Sequence, residues 1–217
     1  MKRLHILAAA LFAVAAAPPP AHAGITLLDE GFANLAALSD WDRVNRSAPP
    51  GTGWFQGNPG IFSAQAGAPN AYAGANYLSA SNGLGTVDNW LITPTLNLTG
   101  LTTLSFFTNQ DNEPGYANLL EVRFGAGDSA DTASFSTLLN TIGGDAAFPA
   151  SWHQWNANLA VEGAGRFAFR YLGDAAALSY VGLDSVRVVT AVPEPAAWLM
   201  LAGGLGALGL ARRRACR

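Results

Sequence analysis

His153 is the only histidine between Gly24 and Ala191, set in Ser151-Trp152-His153-Gln154-Trp155, and this narrows the chemistry open to the chain. A histidine acting as general base needs a nucleophile and an orienting carboxylate, and no spacing here proposes them. Nor can one histidine without a nearby cysteine make a zinc site of ordinary composition. Neither a G-x-S-x-G elbow nor an H-E-x-x-H helix occurs. A pair of acids for glycoside hydrolysis leaves no sequence signature when the two carboxylates sit on separate strands, so a glycan-active hydrolase stays open as the alternative. The residues that do suggest a task are aromatic. Exposed rings stack on the apolar faces of sugars while polar neighbours reach the hydroxyls, and Trp54, Tyr72, Tyr77, Tyr116, Trp152 and Trp155 are the candidates. Trp54 and Tyr116 lie in loops rich in Gly, Pro and Asn and are the expected ligand-binding rings; the alternative for Trp54 is to fill the loop's own small core. Trp152 and Trp155 are three apart, so on a regular strand they face opposite sides and one of them belongs to the core.

The segments that must position these rings differ sharply from the chain ends. Of 217 residues 50% are hydrophobic and 12% charged, against about 25% charged in an ordinary soluble domain. Between Gly24 and Ala191 there are 14 acidic groups, 6 arginines and no lysine, a net charge of −8. Such a domain repels phosphate, which argues against nucleic acid or an anionic membrane surface as partner. The single cysteine, Cys216, excludes an internal disulfide.

Residues 1–23 read as a secretory signal: Lys2 and Arg3, an apolar run from Leu4 to Ala17, three prolines, then Ala21-His22-Ala23. Small residues at Ala21 and Ala23 fit signal peptidase, with cleavage before Gly24. Residues 192–217 mirror this, with Val192-Pro193-Glu194-Pro195, the uncharged run Ala196 to Ala211, and Arg212, Arg213 and Arg214. Sixteen apolar residues reach about 24 Å as a helix, short of the roughly 30 Å hydrocarbon core. The arginines stay on the cytoplasmic side, which places residues 24–191 across the membrane. This tail resembles the PEP-CTERM sorting signal of Gram-negative bacteria. The resemblance implies transient inner-membrane insertion and cutting by an exosortase near Pro-Glu-Pro, in organisms that make extracellular polysaccharide.

Within residues 24–191 the apolar period is two, as strands require. In Arg166-Phe167-Ala168-Phe169-Arg170-Tyr171 the rings share one face and the arginines the other. Leu120, Val122 and Phe124 alternate with Glu121 and Arg123. Further expected strands are Ile25 to Leu28, Tyr77 to Ala80, Trp90 to Ile92, Leu101 to Asn109, Phe135 to Ile142, Trp152 to Leu159 and Tyr180 to Val189. Residues 44–76 read as long rim loops. An all-β fold of nine to twelve strands follows, flanked by an N-terminal signal helix and a C-terminal hydrophobic helix.

Three blocks carry a second likeness: Leu28-Asp29-Glu30-Gly31-Phe32 with Trp41, Val87-Asp88-Asn89-Trp90-Leu91-Ile92-Thr93-Pro94, and Tyr180-Val181-Gly182-Leu183-Asp184-Ser185-Val186-Arg187-Val188. In this order they resemble the choice-of-anchor J domain, which is similar to cleaved-adhesin and MAM-type modules. The likeness implies a jelly-roll β-sandwich of two antiparallel sheets whose first and last strands are neighbours. Some relatives of that fold hold a structural calcium ion, and here Glu30 and Asp184 are the expected ligands, with backbone carbonyls completing the shell. Asp184 shares a strand face with Gly182, Val186 and Val188 in a regular strand, so its carboxylate points inward if those valines do. The alternatives are pairing with Arg170 or Arg187, or a rim turn in water. Asp111, Asn112 and Glu113 form a second oxygen-rich loop, which reads as a solvated turn. The expected function is an exported surface or matrix protein, a non-catalytic adhesion or carbohydrate-binding module that meets extracellular polysaccharide or a surface protein. The alternatives are the hydrolase and a purely structural matrix component.

Overall fold

The computed structural model describes residues 24–144 and 146–192. Ala21, Ala23, Pro193, Glu194, Pro195, Arg212, Arg213 and Arg214, with both expected hydrophobic helices, lie outside the described residues; Gly24 and Val192 are inside. Among the described residues no helix is long and apolar enough to cross a membrane.

Among the described residues ten strands form: β1 (Gly24–Glu30), β2 (Asp42–Asn45), β3 (Phe55–Gln56), β4 (Ala73–Asn76), β5 (Thr86–Ile92), β6 (Leu96–Gln110), β7 (Leu119–Ala126), β8 (Thr137–Gly143), β9 (His153–Asp174) and β10 (Tyr180–Ala191). All their pairings are antiparallel. The architecture turns on β9, which runs through both expected segments, Trp152–Leu159 and Arg166–Tyr171, as one strand. Its first half pairs with β6, from His153 opposite Thr108 to Gly165 opposite Leu96. Its second half lies between β5 and β7, with Tyr171 opposite both Asn89 and Leu120. One layer is therefore β9–β6–β10, with β1 and β4 sharing the far edge of β10 and β3 beyond β4. The other is β2–β5–β9–β7–β8. The two layers of the sandwich are one hydrogen-bonded sheet curled on itself through β9.

The core lies where the layers face. Phe106 of β6 meets Phe169 of β9 edge to face at 5.2 Å, and both are fully buried. Each such burial contributes about 1.5–3 kcal/mol. Alternation holds on β9: Phe167, Phe169 and Tyr171 are inside, while Arg166 and Arg170 turn outward to ion pairs with Asp42 and Asp88.

Residues 77–80 depart from expectation. Tyr77–Ser79 is a 3₁₀ turn, started by the Asn76 side chain accepting from the Leu78 N–H. A short polar side chain that offers the backbone such a bond competes with strand pairing. The strand sits just before it, at β4, where Ala and Gly give no periodic signal.

A larger departure is in β10. Val181 and Leu183 face the core, and so do Val186 and Val188, although an uninterrupted strand would put odd and even positions on opposite faces. The register against β6 shifts between Asp184 and Arg187, at Ser185, whose φ is +52°. This bulge inverts the alternation. Asp184 and Gly182 thus share the outer face, opposite Val186, which corrects the expectation that Asp184 and the valines point the same way.

Candidate functional site

Tyr77 and Tyr116 are 42% and 46% exposed, and each borders the same two adjoining grooves, of about 260 and 280 Å³. The first is also lined by Asp111, Glu113, Ser179 and Tyr180, the second by Ala175, Ala176 and Leu178. Two separate loops supply the rings: Tyr77 comes from the turn after β4, and Tyr116 from the β6–β7 connection. A β-carbon at Gly83 would meet the Tyr77 ring at 2.7 Å, and Gly83 has φ +68°. Glycine at that position both relieves strain and lets the ring lie over the turn.

Beneath this rim lies a buried polar hub. Asn118, 1% exposed, donates from Nδ2 to Gln110 Oε1 at 2.9 Å and to Ser179 Oγ at 2.8 Å. Its Oδ1 accepts from the Tyr171 hydroxyl at 2.6 Å and the Ser179 N–H at 3.0 Å. The Ser179 hydroxyl in turn donates to Asp111 Oδ1 at 2.6 Å. Every polar atom of the amide is used, so the hub fixes the Tyr116 loop against β10 and orients Asp111 into the groove. Burial pushes the Tyr171 hydroxyl well above its usual range, with the Asp111 charge adding to it, so it stays a donor. The arrangement offers two rings for apolar faces and two carboxylates for hydroxyl groups. The Asp111-Asn112-Glu113 turn, read from sequence as solvated, borders this groove, and the Ser179 contact is the long-range link that the sequence did not signal.

The other aromatic candidates hold the scaffold. Trp54 is 2% exposed and donates from Nε1 to the Asn89 carbonyl at 3.3 Å. It belongs to the main core, which corrects its assignment as an exposed ligand-binding ring. Trp155 packs against the same core and donates to Thr108 Oγ1 at 2.8 Å. Trp152 lies on the other face, in a satellite cluster with Phe62, Tyr72 and Tyr180. A β-carbon at Gly182 would meet Phe62 at 2.8 Å and Trp152 at 2.9 Å, so glycine makes room for this cluster on β10. Within it the Tyr72 and Tyr180 hydroxyls converge on Asn58, and burial raises both above the usual tyrosine range.

Asp184 and Glu30 serve the loops. Fully buried, Asp184 accepts at Oδ2 from the Gln65 and Ala66 N–H groups at 2.8 and 3.2 Å, and at Oδ1 from the Ser185 N–H at 2.6 Å. Burial pushes its carboxyl up to about 6, against the opposing pull of the Ala66, Ser185 and Gln65 N–H groups. Glu30 Oε1 accepts from the Phe32 N–H at 2.6 Å. The described residues contain no cluster of three or more His, Cys, Asp or Glu able to hold a metal. An Asp184 carboxylate met by N–H donors on both oxygens fits a loop anchor and does not fit a calcium centre, which wants open oxygens. The arginine alternative does not hold either: Arg170 is paired with Asp88 and Glu121, and Arg187 approaches Asp29 at 3.8 Å.

The Asp-Asn-Trp block is structural in the same sense. Asp88 accepts from both Trp90 Nε1 at 2.6 Å and Arg170 Nε at 2.7 Å, and Asn89 donates to Ser79 Oγ at 2.9 Å.

Comparison with known proteins gives two findings. Residues 191–215 match the PEP-CTERM protein-sorting motif, so the chain carries a sorting signal for export and exosortase processing. Its fold is that of cleaved adhesin domains. The K1 domain of Lys-gingipain from Porphyromonas gingivalis W83 superposes with a TM-score of 0.60 at 26% identity, over 78% of this chain and 100% of that one. The K3 domain of the same protein gives 0.60 at 22%, over 77% and 99%. No curated protein sequence matches the chain.

Proposed function

We propose that this is an exported, exosortase-sorted adhesion module of a Gram-negative surface or matrix, which binds neutral polysaccharide without cleaving it. The observation that carries this reading is the pair Tyr77 and Tyr116, exposed on shared grooves beside Asp111 and Glu113. Tyrosine rings hold sugar faces at low entropic cost, and carboxylates accept from paired sugar hydroxyls. Carboxylates at the rim and a net charge of −8 between Gly24 and Ala191 disfavour polyanions there and leave neutral glycans as the fitting class. The sorting motif and the cleaved-adhesin fold support an extracellular role in adhesion.

The test is affinity electrophoresis of residues 24–191 through gels containing neutral glucans, mannans or xylans, alongside a reducing-sugar assay. Retardation without release of sugar ends, and weakened retardation by Tyr116→Ala at an unchanged melting temperature, are the expected results. Release of sugar ends would instead establish a hydrolase. No retardation by any polymer would leave a purely structural matrix role.

A further inference from the structure

A further groove, of about 430 Å³, lies elsewhere, on the outer face of the β2–β5–β9–β7 layer under residues 132–136. Three of the six arginines between Gly24 and Ala191 line it: Arg46, Arg123 and Arg170. We propose that this groove binds a carboxylate-bearing sugar, a uronic acid residue, as a site separate from the Tyr77–Tyr116 rim.

The donor supply carries the argument. Arg46 uses one guanidinium N–H, to Thr132 Oγ1 at 2.7 Å, and Asp131 stands 3.9 Å from it. Arg123 uses two, to Glu121 Oε2 at 2.8 Å and the Phe135 carbonyl at 3.3 Å. Arg170 uses two, to Asp88 at 2.7 Å and Glu121 at 3.2 Å. A guanidinium carries more N–H groups than that, in a fork that matches a carboxylate with two parallel bonds. The floor holds Arg170 in place: its guanidinium lies 4.9 Å over the Trp90 ring, which packs on Phe135 from another side. Trp90 is 4% exposed, so recognition here is by hydrogen bonds and charge rather than by stacking.

The lining also selects among anions. Burial opposes ionisation of Glu121, but Arg123 and Arg170 outweigh it and hold its carboxyl below the usual range. Asp88 in the groove and Glu121, paired with Arg123 and Arg170 beside it, disfavour a phosphate with its higher charge density, yet carboxylates of this kind accept from sugar hydroxyls. Thr132 and Ser136 at the lip add hydroxyl partners. One negative charge on a hydroxyl-rich ring is the ligand that satisfies both sets, and the volume is in the range of small-molecule sites.

Calorimetry with trigalacturonate and its uncharged counterpart galactotriose tests this, because the two differ only in their carboxylates. The wild-type domain is expected to bind trigalacturonate at least about tenfold more tightly, and Arg46→Gln to weaken it about tenfold, in keeping with loss of a charge-assisted contact. Arg46 is half exposed, so the variant should melt as wild type does. Arg43→Gln removes the same charge from an exposed position of β2 outside the groove and should change nothing. Tyr116→Ala should also leave trigalacturonate binding intact, which separates this site from the rim whatever becomes of the neutral-glycan reading. Equal binding of the two trisaccharides, binding of neither, or equal losses in Arg46→Gln and Arg43→Gln would each overturn the proposal.

Discussion

The Asp184 carboxylate accepts the Gln65 backbone N–H at 2.8 Å across 119 positions of sequence, and so ties the long 57–71 loop to the outer face of the last strand. This tie is made at a cost, since burial holds the carboxyl at about 6, above its ordinary 3.8. A carboxyl whose folded value is raised contributes stability that is fully present below the unfolded value and is lost as pH rises through the folded one. Subtracting the stability of Asp184→Asn from that of wild type at each pH, by denaturant titration, should therefore give a difference that falls between about pH 4 and pH 6. A flat difference would show that the N–H groups balance the burial, and a rising one that they outweigh it.

Calcium removal gives a second test of the same residues. With Asp184 spent on Gln65, Ala66 and Ser185, and Glu30 on Phe32, the melting midpoint is expected to be unchanged by a chelator. A ligand that binds only the folded state raises its apparent stability. A midpoint lowered by chelation and restored by calcium but not magnesium would therefore reinstate Glu30 and Asp184 as ligands.

Trp54 separates core from site. Its indole is 2% exposed and hydrogen-bonded to Asn89, so Trp54→Ala should destabilise the domain by about 3–5 kcal/mol through the cavity it leaves. Thermal melts check this directly. Where the variant is still folded, it should bind glycans as wild type does, and a selective loss of binding with normal melting would return Trp54 to the ligand surface.

What could be read from the chain follows from the range of the physics. The strand class was legible because alternation is local: Phe167, Phe169 and Tyr171 announce their common face within five residues. The exposure of Tyr116 was legible from its Gly, Pro and Asn setting. Partnerships were not. Tyr77 and Tyr116 come together only because Asn118 reaches Ser179 across 61 positions, and Arg46, just past the end of β2, meets Arg123 of β7 and Arg170 of β9 only through the strand order. Asp88 and Asn89 looked like a signature block, yet their role is to hold Arg170, Trp90, Ser79 and Trp54.

Ser185 marks the point where local reading failed, because one residue with φ +52° turns the Asp184 side chain to the opposite face from the one alternation assigns. Left-handed backbone costs a residue bearing a β-carbon roughly 1–2 kcal/mol, most for a β-branched one, and glycine almost nothing. Ser185→Val should therefore destabilise by at least about 1 kcal/mol, while Ser185→Gly, which loses the hydroxyl's exposed contact to Gln65 Oε1 at 2.9 Å and its long one to Asp184 Oδ1 at 3.4 Å, should stay within about 1 kcal/mol of wild type and above the valine variant. Equilibrium denaturation of both variants checks the order. If valine were tolerated as well as glycine, the bulge would not be the device that places Asp184 beneath the loop, and the carboxylate would have to reach Gln65 and Ala66 by another route.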